Sequence, residues 1–183
     1  MDGPTELQTA RLLLRPPRPE DADAYVALAS NPEFAAYGSR RAPDREMTVR
    51  ALSRIIATPW ARRPEFAVLL AGQVVGRVSL DIDAANQIAA LGYGIARPQW
   101  GRGFASEAAG AVVDYAFAVL ELAKVWARVD PRNVASVRVL EKLGMQHEGT
   151  LRSHVLSWGE RADRASYGLL RAEWAARRRT PLT

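Results

Sequence analysis

The stretch Tyr93-Gly94-Ile95-Ala96-Arg97-Pro98-Gln99-Trp100-Gly101-Arg102-Gly103-Phe104-Ala105-Ser106-Glu107-Ala108 holds the residue types and spacing most suited to chemistry. A strand pattern runs to Ile95, and Pro98 then forbids a further ladder. Two glycines bracket Arg102, and an alanine-rich helical pattern starts at once. Glycine lets a ligand reach the backbone, and a helix start leaves N–H groups unpaired at the positive end of its dipole. The combination predicts an anion site suited to a pyrophosphate. Downstream, Asn133 offers a side-chain amide at a helix cap, with the Ser136 hydroxyl one turn later.

Other phosphate and nucleophile motifs are excluded by residue. There is no Gly-Lys-Ser/Thr triplet, and a dinucleotide fingerprint would need glycine where Ser106 stands. No Gly-x-Ser-x-Gly elbow or His-Glu-x-x-His zinc helix occurs, and His147 and His154 lack metal-ligand company. With no cysteine, disulfides and thiolate zinc sites are excluded, and no metal is expected.

The elements that must position these groups follow from periodicity and caps. Strands are expected at Arg11 to Arg15, Phe66 to Leu70, Val74 to Ile82, Ile88 to Ile95, Val125 to Val129, Gln146 to Leu156 and Ala165 to Leu170. Helices are expected from Pro19 to Ser30, broken by Asn31-Pro32, and from Asp44 to Thr58 after a turn-rich stretch from Ala35 to Pro43. Two more run from Ala105 to Leu122 and from Asn133 to Leu143, the last ended by Gly144. Ala71-Gly72-Gln73 and Trp158-Gly159 read as hairpin turns. The order β-α-α-β-β-β-α-β-α-β-β is α+β, with one strand–helix–strand crossover around the glycine turn.

A chain of 183 residues with 48% hydrophobic and 25% charged residues is one globular domain spanning 1–183. Residues 1–8 and 177–183 are expected to be free ends. The net charge is +5, but the basic residues are scattered, and Arg177-Arg178-Arg179 reads as a solvated end, so nucleic acid is not the expected partner. The most apolar stretch, Ala105 to Ala123, carries Glu107, Asp114 and Glu121, which argues against a membrane span. Met1-Asp2-Gly3-Pro4 lacks signal-peptide character, so a cytoplasmic location is expected.

Four segments in order carry a family resemblance: Thr9-Ala10-Arg11-Leu12-Leu13-Leu14-Arg15, the Tyr93 to Ala108 stretch, Asn133-Val134-Ala135-Ser136-Val137-Arg138-Val139-Leu140-Glu141-Lys142-Leu143-Gly144-Met145, and Glu148-Gly149. The chain resembles the GNAT N-acetyltransferases, in the branch of RimJ/RimL-like ribosomal-protein alanine N-acetyltransferases. The resemblance implies an α+β GNAT fold with a mixed central sheet of about seven strands, a bulge on the fourth, a splay between the fourth and fifth, and about four flanking helices. It implies acetyl-CoA as co-substrate. Its pantetheine arm would pair with strand backbone near Ile95, Ala96 and Arg97, and its pyrophosphate would rest on amides from Gly101 through Arg102, Gly103, Phe104 and Ala105 to Ser106, with charge from Arg102 and Arg97. By the same resemblance Asn133 contacts the co-substrate and Ser136 lies near the thioester sulfur. The expected reaction is direct attack of an amine on the thioester in a ternary complex, with a protein N-terminal α-amine favoured as acceptor. The alternatives are a small-molecule acetyltransferase, for an amino acid, polyamine or antibiotic, and an acyl-CoA-binding module without catalysis. The assembly is expected to be a monomer or homodimer.

The chain also departs from the family. Where many relatives carry a tyrosine seven residues after the asparagine, this chain has Leu140; where some carry a base glutamate, it has Arg128 or Val155. Asp81, Asp83, Glu107, Asp130 and His154 remain as bases, with Asp83 expected to end a strand beside the splay. Without a dedicated base, ordered water and positioning would have to serve.

Overall fold

The computed structural model describes residues 3–30, 44–157 and 159–179. The expected break at Asn31-Pro32, the turn-rich stretch from Ala35 to Pro43 and Trp158 of the last turn lie outside the described residues. The strands are β1 (Leu7–Gln8), β2 (Leu13–Arg15), β3 (Glu65–Leu70), β4 (Gln73–Asp83), β5 (Ile88–Ile95), β6 (Lys124–Val129), β7 (Gln146–Ser157) and β8 (Glu160–Leu170). The α-helices are α1 (Ala22–Ala29), α2 (Arg45–Ala57), α3 (Phe104–Ala118), α4 (Val134–Lys142) and α5 (Arg171–Arg179). Among the described residues the sheet has eight strands in the order β1-β2-β3-β4-β5-β6-β8-β7, and only β5 and β6 pair in parallel.

Three differences from the expected elements have local causes. Leu7 and Gln8, expected in a free end, pair with Leu14 and Leu13 as an eighth strand too short to read from its own pattern. Arg177–Arg179, read as a solvated end for their charge, instead close helix α5, which holds because Trp174 packs on Phe117 at 5.3 Å and donates to Asp114 at 2.7 Å. Helix α3 stops at Ala118 rather than Leu122 because Glu121 adopts a left-handed φ of 54°, which lets the Leu122 N–H reach back to Ala116 C=O at 3.1 Å.

The hairpin at Ala71-Gly72 is as expected. Both residues have positive φ (48° and 80°), the geometry of a two-residue turn whose twist matches the strands.

The sheet has two unlike faces. One carries the main core, in which Phe66, Val78, Leu80, Ala89, Val125 and Leu169 pack against Phe104, Val112 and Phe117 of α3 and Leu140 of α4. The other carries a smaller cluster, Tyr25, Leu52, Ala67 and Leu69, under α1 and α2. No helix among the described residues is long and apolar enough to cross a membrane.

Candidate functional site

Strand β5 has one closed edge and one open edge. Toward β4 it pairs without interruption from Ile88↔Asp83 to Ile95↔Gly76. Toward β6 it pairs only at Ile88↔Lys124, Ala89↔Val125 and Ala90↔Trp126. Beyond Ala90 the strands part, so the expected splay is present at the expected strands. The expected bulge is not: the β4–β5 register is constant to its end. On its other edge β6 stays paired with β8 from Lys124↔Leu170 to Val129↔Ala165, so past the fork it continues with β8 alone.

The constant register decides which backbone groups face the gap. Ala96 N–H donates to Val75 C=O at 2.7 Å, and alternate residues of an antiparallel ladder turn to the same neighbour. Leu91, Tyr93 and Ile95 therefore direct their N–H and C=O groups into the gap. Ala96 does not, which corrects the expectation of strand pairing there: its N–H is spent on β4 and its C=O accepts from Gln99 N–H at 2.9 Å. The Ile95 C=O accepts from the Trp100 indole at 2.6 Å, so its N–H is the group left to the gap. Below the mouth, Ala24, Ala27, Leu28, Val74, Ile95 and Pro98 help to line a cavity of about 200 Å³.

At the mouth stands the glycine turn. Gly101 and Gly103 have φ of 74° and 81°, which L side chains rarely adopt, and a Cβ at Gly101 would meet nothing within 4 Å. Gly103 is the N-cap of α3 and has no side chain to cap it. The first intrahelical donor is Glu107 N–H, to Gly103 C=O at 3.0 Å, so the amides of Phe104, Ala105 and Ser106 point out of the helix start. Arg102 lies over the Phe104 ring at 4.8 Å and Arg97 over the Trp100 ring at 4.9 Å. The residues present fit a diphosphate: open space, outward amides, a helix dipole and guanidinium groups.

Arg11 is a site residue that sequence reasoning missed. Its guanidinium lies over the same Phe104 ring at 4.4 Å, donates to Arg102 C=O at 3.1 Å, and sits 3.6 Å from where a Gly103 Cβ would be. Its Nε donates to Glu107 Oε2 at 2.7 Å, and the Thr9 hydroxyl is 2.6 Å from Glu107 Oε1. The signal was the Thr9-Ala10-Arg11 segment, whose partner lies nearly a hundred residues away.

Ser136 and Asn133 come together as expected, with a partner the sequence did not announce. Asn133 Oδ1 accepts from Ser136 N–H at 3.0 Å and caps α4. The Tyr93 hydroxyl lies 2.7 Å from Ser136 Oγ and donates to Ser136 C=O at 3.0 Å. Burial pushes the Tyr93 phenol up to about 12, although the Ser136 bond partly opposes this, so it stays a proton donor at neutral pH. Two hydroxyls thus meet between β5 and α4. Leu140, at the family's tyrosine position, is core.

Among the described residues, the candidate bases Asp83, Glu107 and Asp130 are each engaged elsewhere. Asp83 is at the wrong end: it pairs with Ile88, where β5 and β6 are closed, about 23 Å along the strand from Ile95. There it accepts from the Asn86 side chain at 2.7 Å and ends a hairpin, the ordinary work of an aspartate in a turn. Asp81 is nearby, opposite Ala90. Glu107 is tied to Thr9 and Arg11; burial would push its carboxyl up, but those bonds prevail and hold it low. Asp130, buried beyond β6, is held low by Arg132, at 2.7 Å and 3.0 Å, with Arg164 at 3.4 Å. His154 is exposed on the β7 edge strand.

Comparison with known proteins agrees with this geometry. Residues 11–146 match the family model described as an acetyltransferase (GNAT) domain. The chain is 34% identical over 175 residues to the uncharacterized N-acetyltransferase p20 of Bacillus licheniformis, covering 92% of this chain and 98% of that protein. It is 34% identical over 111 residues to the putative ribosomal N-acetyltransferase YdaF of Bacillus subtilis (60% and 61% covered). It is 29% identical over 117 residues to the spermidine N(1)-acetyltransferase of Escherichia coli (63% of each). The crystal structure of a GNAT-family acetyltransferase from Bacillus anthracis superposes with a TM-score of 0.85 at 25% identity, covering 92% of this chain and 100% of that one. A parallel pair that parts beside a glycine-capped helix, within a sheet that follows a solved acetyltransferase throughout, leaves one assignment: this chain belongs to the GNAT family of acetyl-CoA-dependent acetyltransferases.

Proposed function

We propose that the chain acetylates an α-amine, with a protein or peptide N-terminus as the favoured acceptor, by direct attack on acetyl-CoA in a ternary complex. The observation that carries this reading is the gap between β5 and β6, with outward amides at its mouth and the Tyr93–Ser136 hydroxyl pair on its α4 side. Acetyl-CoA supplies an activated acyl carbon, and the leaving thiol, with a pKa of about 8.5, is a tolerable anion. The amides of Gly101 to Ser106, with Arg102 and Arg11, hold the diphosphate, and Asn133 orients the Ser136 turn. The Ile95 N–H donates to the pantetheine arm or to the carbonyl oxygen as it gains charge. Ser136 Oγ, held beside the Tyr93 hydroxyl, donates to the sulfur as it leaves. The attacking amine must be neutral, and its ordinary pKa of about 8 leaves only a fraction neutral near pH 7. With Asp83 spent on a turn and Glu107 and Asp130 on arginines, ordered water carries that proton away.

The relationship to a putative ribosomal N-acetyltransferase supports an N-terminal acceptor. The similarity to a spermidine N(1)-acetyltransferase supports a second reading, a small amine. The test is release of coenzyme A thiol against a panel of peptides, amino acids and polyamines, together with a thermal shift on acetyl-CoA. Binding should raise the Tm by mass action on the folded state, and Ser136→Ala should lower turnover more than it weakens that shift. A melting temperature indifferent to millimolar acetyl-CoA and coenzyme A overturns the proposal.

A further inference from the structure

The face of the sheet opposite α3 and α4 carries a cation that nothing above uses. On strands β4, β6 and β8 this face presents Arg77, Lys124, Trp126, Arg128, Arg164 and, between them on β5, the bare Gly92 and Gly94. Three of the four cations are matched: Arg77 bonds Glu65 at 2.9 Å, Lys124 bonds Glu148 at 2.6 Å, and Arg164 reaches Asp130 at 3.4 Å. Arg128 is different. It is exposed, its guanidinium lies 4.9 Å from the centre of the Trp126 ring, and no carboxylate among the described residues is within ion-pair distance of it.

Its place is also specific. Trp126 is the last β6 residue paired with β5, so Arg128 stands about 7 Å past the fork, on the very flank of the gap. The two glycines opposite leave no side chain between the guanidinium and the opening. An indole under a guanidinium limits its rotamers while leaving the in-plane N–H edge free for a bidentate acceptor. An arginine cannot take a proton from the amine, so at this position it selects by charge.

We propose that Arg128, stacked on Trp126, binds a carboxylate of the acceptor, so that the preferred substrates are amines with a carboxylate close by: a free amino acid, or a peptide N-terminus with an acidic residue beside it. This rests on the acetyl-transfer reading and narrows it. A fixed cation also repels a polyamine, whose several ammonium groups would have to approach it without compensation.

The test uses matched pairs: L-amino acids against their carboxamides, and peptides with aspartate at the second position against the same peptides with asparagine, with spermidine as the cationic extreme. The amino-acid and peptide arms identify the source of the carboxylate. The expected result is a kcat/KM at least tenfold higher for the carboxylate member of one set. Arg128→Gln should collapse that ratio through KM, and Arg128→Lys should restore part of it. Carboxamides or spermidine used equally well, a ratio indifferent to Arg128→Gln, or no carboxylate member either acetylated or bound by the acetyl-CoA complex in calorimetry, each overturns the proposal. The acetyl-CoA thermal shift separates these failures from failure of the acetyl-transfer reading, since it does not involve the acceptor.

Discussion

The two edges of β5 are built from one run of eight residues, yet one is sealed and the other is open. On the β4 side the chains are so close that Gly76 admits no side chain: a Cβ there would lie 2.5 Å from the Ile95 Cδ1 and 2.6 Å from the Gly94 carbonyl oxygen. On the β6 side the strands separate after three pairs, and the backbone that would have been sealed is left to a ligand. The difference lies in the partners rather than in β5. Strand β4 is bound to β5 by a hairpin, whereas β6 arrives after a helix and is claimed along its whole length by β8. The sealed edge should therefore answer to mutation in stability, and the open edge in binding and turnover.

The largest effect is expected where the far end of β6 is anchored. Asp130→Asn removes the buried carboxylate that Arg132 and Arg164 both approach and should cost about 3–5 kcal/mol, measured as a shift in the urea midpoint at unchanged slope. The same group sets an acid limb. Hydrogen bonds from Arg132 hold its folded value below the ordinary one, so its stabilisation is full above about pH 4, the unfolded value, and fades as pH falls through the folded value. The asparagine variant should show a shallower loss between neutral and strongly acid pH. An unchanged midpoint would mean that β8 alone keeps the gap open.

Gly103→Val comes next. A branched residue at a φ of 81° is strained, and its side chain enters the space before the helix amides. Acetyl-CoA binding should weaken by about a hundredfold or more, equivalent to about 2.7 kcal/mol, while the sheet persists by circular dichroism. Binding as tight as the parent's would move the diphosphate elsewhere.

On the sealed edge, Gly76→Ala should destabilise by about 2 kcal/mol through overpacking against strand backbone. A parent-like melting temperature would show that this edge is more yielding than its distances imply.

The smallest effect belongs to Tyr93→Phe, which removes the hydroxyl beside Ser136. It should lower kcat by about tenfold, with acetyl-CoA affinity nearly kept, and the double variant with Ser136→Ala should be little worse than either single one. Additive losses would mean that the two hydroxyls act separately.

Much of this arrangement was legible because it is written locally. The glycines at 101 and 103, the cap at Asn133 and the turn at Ala71-Gly72 each depend on neighbours within a few residues. Asp83 was misplaced because which end of β5 is closed depends on the parallel register with β6, set by residues far along the chain. The Tyr93–Ser136 contact and the Arg11–Glu107 tie were invisible for the same reason. The bulge failed on other grounds: it was an attribute of relatives, and the splay here occurs beside a β4–β5 ladder of constant register.

The stitch of Thr9 and Arg11 to Glu107 has a consequence in time. During synthesis β2 can pair with β3 early, but Thr9 and Arg11 have no Glu107 to grip until α3 has followed. Closing so long a loop carries an entropic cost that grows only slowly with length, yet it must be met before the contact repays it. The diphosphate pocket is thus completed only once α3 has joined the N-terminal strands. Slow amide exchange at residues 9–12 would report a completed fold, and a nascent chain lacking α3 should be unable to retain coenzyme A.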